Sequence, residues 1–340
     1  MNQHQAGLPV ALVTFGFGVA VALAVMSGRH LITRERLKDD KPSAPPACTL
    51  GTVEGMNELA DFGPPDVPNP EAFKEEVQIA DAFIDSEKLA YDGYVVEKRY
   101  KTVKLDYPPE MKAMPMQVQV SYAVLKRREK VLARFDHGIY FGADNSTRFG
   151  LFPFLGGDSE QLIVSQDIPR GGRQWIVSLS PRFRVIHEGA EFGVGREAED
   201  MGVIDIDRDG VYEIIQPDTS FYGFSDWLPT GRTPLPRVIF KYDVKAGKYL
   251  PANHFFHDYL LKDISEAKQK VSGPDDRIDH FADTLSIVLE YVYAGRGQKA
   301  WAFYDEAYKL PDKTQMKRDI KAVLKKQSVY RFMSKKSAER

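Results

Sequence analysis

The chain has 340 residues, a formal net charge of −2, 28% charged residues and 43% hydrophobic residues. That balance fits one or two packed domains and excludes a collagen-like, disordered or strongly polyanion-seeking chain. Cys48 is the only cysteine, which excludes an internal disulfide and a cysteine-based zinc cluster.

Residues 8–26 form a run of 19 residues without charge. A run of that length can span a bilayer, so residues 1–28 are expected to be a signal anchor or a signal peptide, with the membrane as a partner through residues 8–26. Arg29, Arg34, Arg36 and Lys38 follow the run. Basic residues on that side would hold the remainder in the cytoplasm. Residues 29–70 carry a cluster of prolines, including Pro42, Pro45, Pro46, Pro64, Pro65, Pro68 and Pro70, and predict an extended linker. From Pro70 to Ala90, Phe73, Val77, Ala80, Phe83 and Ile84 recur at helical spacing and predict one amphipathic helix.

The pattern then changes. Val118, Val120, Tyr122 and Val124 alternate, and similar short segments follow near 130–135, 148–154, 161–166, 173–179, 184–187, 211–216 and 237–243. Gly and Pro clusters separate them, so residues 71–257 predict an antiparallel β domain with a leading helix. An internal repeat runs through it. Phe135 to Gly142 matches Ile186 to Gly193 at an offset of 51, and Leu151-Phe152 with Gln161 to Ile163 matches Val203-Ile204 with Glu213 to Ile215 at 52. Short strands repeated at this period suggest propeller-like blades, in a complete or partial ring.

One segment names a chemistry. Asp205, Asp207 and Asp209 alternate, Gly210 follows, and Val211 and Glu213 complete the spacing. Four carboxylates and the Val211 carbonyl put five hard oxygen donors around one point, which suits Ca²⁺. Gly210 permits the sharp turn this requires. An EF-hand is excluded because its twelfth position is Gln216 and its flanks are short and β-branched. The first repeat copy has Pro153, Leu155 and Gly157 at the three Asp positions, so it is expected to keep the turn and lose the metal.

The segment Gly202 to Ile215 resembles the calcium loop of FG-GAP or VCBS-type repeats. The resemblance covers roughly residues 130–250. It implies β-propeller units, calcium held for stability, and binding rather than catalysis. Such loops load at about 0.1–1 mM calcium, which implies an extracytoplasmic location.

After the calcium strand, Phe221, Tyr222, Phe224 and Trp227 are the candidate binding surface for a protein or glycan ligand. The alternative is a glycan hydrolase, with Asp136, Glu188 and Glu191 as candidate carboxylates. His254 and His257 have ligand spacing without a visible third partner, and fit a helix start better. His137 and His187 fall at near-equivalent turn positions of the two copies. Asn145-Ser146-Thr147 is a glycosylation sequon.

Residues 258–340 predict helices. Ile278, Phe281, Ala282, Leu285, Val288, Leu289 and Val292 form one apolar face, and Gly295 and Gly297 end it. Trp301, Tyr304 and Tyr308 mark a second helix, and Met316, Ile320, Val323 and Leu324 a third. Lys313, Lys317, Lys321 and Lys325 make a basic stripe whose simplest reading is a solvated face. Nucleic acid is not expected as a partner, because no aromatic residues interleave with the stripe. The fold class is α+β: a β-repeat core, a helical C-terminal region and an N-terminal hydrophobic helix.

Overall fold

The computed structural model describes residues 77–104, 117–138, 146–168, 171–194 and 201–338. The apolar run at 8–26, Cys48, the linker, the start of the expected 70–90 helix, residues 139–142 of the repeat and Asn145 lie outside the described residues. No helix among the described residues is long and apolar enough to cross a membrane.

Among the described residues three antiparallel sheets follow one another, each built on four consecutive strands. The first holds β3 (Lys88–Tyr91), β4 (Tyr94–Lys104), β5 (Gln117–Arg127) and β6 (Lys130–Phe135), in that order. The second holds β7 (Ser146–Phe152), β8 (Gln161–Ile168), β9 (Gly171–Ser178) and β10 (Arg184–Glu188). The third holds β11 (Gly202–Ile204), β12 (Glu213–Pro217), β13 (Arg237–Asp243) and β14 (Lys248–Pro251). Two short strands complete them. β1 (Val77–Gln78) pairs with β11, and β2 (Phe83–Ile84) pairs with β7. The expected antiparallel strands form these meanders, and the sheets do not close into a propeller ring among the described residues.

The sheets are stacked, and strand periodicity shows how. On β8, Leu162 and Val164 share a core cluster with Tyr94, Ala123 and Leu125 of the first sheet. Ile163, between them, belongs to the cluster holding Val203, Ile214 and Phe240 of the third sheet. Successive strand side chains point to opposite faces, so the second sheet is covered on both sides. Its strands therefore read as continuous apolar runs such as Leu162 to Val164 and Trp175 to Val177.

Among the described residues six helices cover the far side of the third sheet: α1 (His257–Leu260), α2 (Ile264–Gln269), α3 (Arg277–Tyr293), α4 (Gly297–Ala307), α5 (Lys313–Lys326) and α6 (Ser328–Ala338). Asp276 caps α3 by accepting from the Ile278 and Asp279 amides, and Gly295, at φ +74°, follows its end. Phe281, Leu285, Val288 and Leu289 are buried in the same cluster as Ile214 and Phe240. Burying a ring such as Phe281 contributes about 2–3 kcal/mol. Helices and third sheet thus share one core.

The expected helix at 70–90 is corrected over its described part. Residues 77–91 form β1, a 3-10 turn at Ile79–Ala82, β2 and β3. The apolar residues that matched a helical period serve different sheets, because the chain crosses here from β11 to β7. The crossing is tight: a Cβ on Gly150 of β7 would lie 1.8 Å from the Ala82 carbonyl oxygen.

Candidate cation site

The acidic loop connects β11 to β12, as a strand–turn–strand reading expects. Gly210 has φ +86° and Arg208 φ +60°, so the turn uses the left-handed region twice. Asp209 Oδ1 accepts from the Val211 amide at 2.9 Å. Glu213, fully buried at the start of β12, accepts from the Ile206 amide through Oε2 at 2.8 Å. The loop is thereby held at both ends by its own carboxylates.

Side-chain oxygens of Asp205, Asp207 and Asp209 lie within 4.8 Å of one another. Two unit charges at that separation repel by about 3 kcal/mol at an effective dielectric near 20. Against a typical total stability of about 5–15 kcal/mol, three such charges need a counter-charge. The fold supplies one. Lys241 on β13 places Nζ 2.7 Å from Asp207 Oδ2, 2.7 Å from Asp209 Oδ2 and 3.1 Å from Glu213 Oε1. Its position follows from register, since Ile214 pairs with Phe240 and the next step brings Glu213 opposite Lys241.

The electrostatics follow. Burial pushes the Glu213 carboxyl up to about 7, against the pull of the Ile206 amide and Lys241. Burial also works to raise Asp209, but the Lys241 hydrogen bond and the Val211 amide outweigh it and the net shift is downward. Lys241 is desolvated, yet its contacts with Asp207, Asp209 and Glu213 hold it well above the ordinary amine range.

All four carboxylates expected of the loop are therefore brought together. An oxygen-only donor set of this kind fits a hard divalent cation such as Ca²⁺ and does not fit a zinc centre. Asp205, Asp207, Asp209, Glu213 and the Val211 carbonyl would hold it. Sequence reasoning missed Lys241, the residue at the centre. It lies 28 residues from Glu213 beyond an irregular connection, and only strand register reveals it.

The first repeat copy repeats the staple without the charge. Gln161, matched to Glu213, accepts from the Leu155 amide through Oε1 at 2.9 Å. The two loops also touch: Tyr212 donates its amide to the Phe154 carbonyl at 2.9 Å, and Tyr249 Oη donates to the Phe154 and Tyr212 carbonyls.

Other expected site residues fall elsewhere. Phe221 is fully buried, Phe224 stacks on Phe281 of α3 and Trp227 meets the same ring edge-on, with centroids 5.1 Å apart. Through Phe221, Phe224 and Trp227 the aromatic segment expected as a binding surface joins the third sheet to the helices, and Tyr222, Phe224 and Trp227 stay partly exposed. The candidate hydrolytic carboxylates each hold a cation: Asp136 binds Lys101 and Arg134, Glu188 binds Arg173, and Glu191 binds Lys248. His187 is a core residue of β10 and not a turn residue. Its Nε2 lies 2.9 Å from Gln216 Oε1 and its ring packs on Phe240 and Tyr249. His257 opens α1 beside Asp258, and no third ligand joins it and His254 among the described residues.

A cleft of about 460 Å³ lies between β6 and β10, lined by Leu132, Phe135, Trp175, Phe183 and Val185 with Ala133, Arg134 and Arg184. No family model, characterised protein or solved structure matches the chain.

Proposed function

We propose that this protein is a binding or assembly module of the cell envelope, tethered through residues 8–26 and stabilised by calcium at the Asp205–Glu213 loop. One observation carries the reading: three carboxylates of one hairpin, those of Asp207, Asp209 and Glu213, converge on a single positive centre, and Asp205 clusters with two of them. Calcium would supply the charge and extra coordination that fix this loop against its neighbour. The resemblance of Gly202 to Ile215 to FG-GAP or VCBS-type loops points the same way, and a calcium requirement near 0.1–1 mM favours an extracytoplasmic location.

A binding role is favoured over glycan hydrolysis by the side chains on offer. Asp136, Glu188 and Glu191 are each engaged by a cation, and the lining of the β6–β10 cleft contains no carboxylate. Hydrolysis by the paired-carboxylate route needs two carboxyl groups facing one substrate bond.

The test is a thermal melt with calcium chloride, with chelator, and for Asp207→Ala. Free calcium at ten times its dissociation constant adds about 1.4 kcal/mol to stability. A raised midpoint in the wild type that Asp207→Ala abolishes is the expected result. A wild type indifferent to millimolar calcium would leave the loop as a lysine-neutralised turn and end the calcium reading.

A further inference from the structure

We infer that Lys241 is a tethered competitor for the cation: its ammonium occupies the ligand cluster in the metal-free protein and must leave before a divalent ion is fully coordinated, so this one side chain sets the loop's calcium affinity. The inference rests on the calcium reading above and adds a residue outside the loop to it.

The geometry is specific. Lys241 comes from a different strand, yet its Nζ touches carboxylate oxygens of three of the four acids, at 2.7, 2.7 and 3.1 Å. Ca²⁺ binds carboxylate oxygens at about 2.3–2.6 Å. An ion bound to those same oxygens would stand within a few ångströms of the ammonium, and two cations so placed repel strongly at the low dielectric beside a buried Glu213. Both cannot hold the cluster together.

Lys241 also has a way out. Its side chain is 26% exposed, so the head can swing to water while the stem stays along β13 beside the Phe256 ring, 5.9 Å from Nζ. The loop then has two arrangements, one closed on lysine and one open to the metal. When the competent arrangement is a fraction of the population, the apparent dissociation constant rises by the inverse of that fraction. If the lysine-closed form outweighs the open form tenfold, removing the ammonium tightens calcium binding about tenfold.

The experiment is a calcium chloride titration of the chelator-stripped full chain, by calorimetry, for wild type, Lys241→Met, Lys248→Met and Asp207→Ala. Lys248 lies on the neighbouring strand but is bound to Glu191, so its variant removes one positive charge without touching the loop. Lys241→Met is expected to bind about tenfold tighter than wild type, with Lys248→Met close to wild type and Asp207→Ala weakened. Equal calcium affinity in wild type and Lys241→Met would overturn this inference and leave the calcium reading intact. Equal tightening in both lysine variants would also overturn it, by assigning the effect to general charge. If no variant binds calcium, the calcium reading fails and takes this inference with it.

A second measurement needs no variant. Lys241 in the wild-type chain is acylated with and without calcium and followed by peptide mass spectrometry. Calcium should increase its labelling as the ammonium is expelled. Calcium that binds while Lys241 stays protected would overturn the proposal even if Lys241→Met cannot be folded.

Discussion

The β7–β8 and β11–β12 hairpins are two versions of one device. Each has a buried amide side chain or carboxylate at the start of its second strand that reaches back to a loop amide, Gln161 to Leu155 and Glu213 to Ile206. Each also carries a buried glutamine that ties its sheet to the preceding one. Gln166 on β8 donates to the Ser121 carbonyl on β5 at 2.6 Å, and Gln216 on β12 donates to Gln174 on β9 at 3.2 Å. Both glutamines meet a histidine 29 residues upstream: Gln166 accepts from the His137 backbone amide, whereas Gln216 contacts the His187 ring. The difference lies in charge. At the matched positions the first loop has Pro153, Leu155 and Gly157 and sends Phe154 into the core, while the second buries Asp205 and turns Asp207 and Asp209 outward around a lysine. The back-bond to the loop therefore does not need a carboxylate, and Asp207, Asp209 and Glu213 of the second copy find their counter-charge in Lys241.

The largest effect is expected where the two loops meet. Gly156 has φ +70°, and a Cβ there would stand 2.1 Å from the Gly210 carbonyl oxygen. Gly156→Ala should cost about 3 kcal/mol or more in urea unfolding, from left-handed strain and backbone displacement together. A loss under about 1 kcal/mol would show that the loops move independently and that their contact adds little.

Next is the histidine that only the second copy places as a ring contact. Burial pushes the His187 imidazole down to about 4 from an ordinary value of 6.5, with the Gln216 contact acting in the opposite sense. The unfolded chain then binds more protons than the folded one between those values, so stability falls as pH falls through that window. The contribution is complete above about pH 6.5 and amounts to about 3 kcal/mol lost by pH 4. Unfolding free energies at both pH values should show a shallower slope for His187→Gln. Parallel slopes would mean that the ring is not the source.

The smallest effect separates turn from charge. Glu213→Gln reproduces the Gln161 arrangement and can keep the bond to Ile206. In chelator its stability should stay within about 1 kcal/mol of wild type, because the lost contact to Lys241 is offset by removing a buried charge. Its calcium-induced rise in midpoint should vanish. A retained rise would remove Glu213 from the ligand set.

Much of the fold was legible from local pattern. The strands from β5 to β13 follow alternation and turn residues, and α3 follows its apolar face, although Ile278 on that face is 36% exposed. The 70–90 segment misled because Val77, Phe83 and Ile84 match a helical period, while pairing with β11 and β7 decides their conformation. The loop ligands were legible because they are adjacent in sequence. Lys241 was not, since its place depends on how β13 aligns beside β12 after the irregular 218–236 connection. Phe221, Phe224 and Trp227 show the same limit, because composition gives aromatic content and only packing tells which way it faces. The basic stripe on α5 is partly absorbed as well: Lys317 bonds Asp305, and Lys317 and Lys321 lie over the Trp301 ring.

The way the chain enters the stack has a mechanical meaning. Residues 77–84 clip onto the outer edges of two sheets, with two residue pairs on β11 and two on β7. The next ladder of any length, β4 on β5, holds eleven pairs. Tension arriving along the chain from the N-terminal side meets the short rungs first and the long ladder only after they have parted. The clip would act as a fuse: its four pairs would part under load while the ladders among β7, β8, β9 and β10 keep theirs.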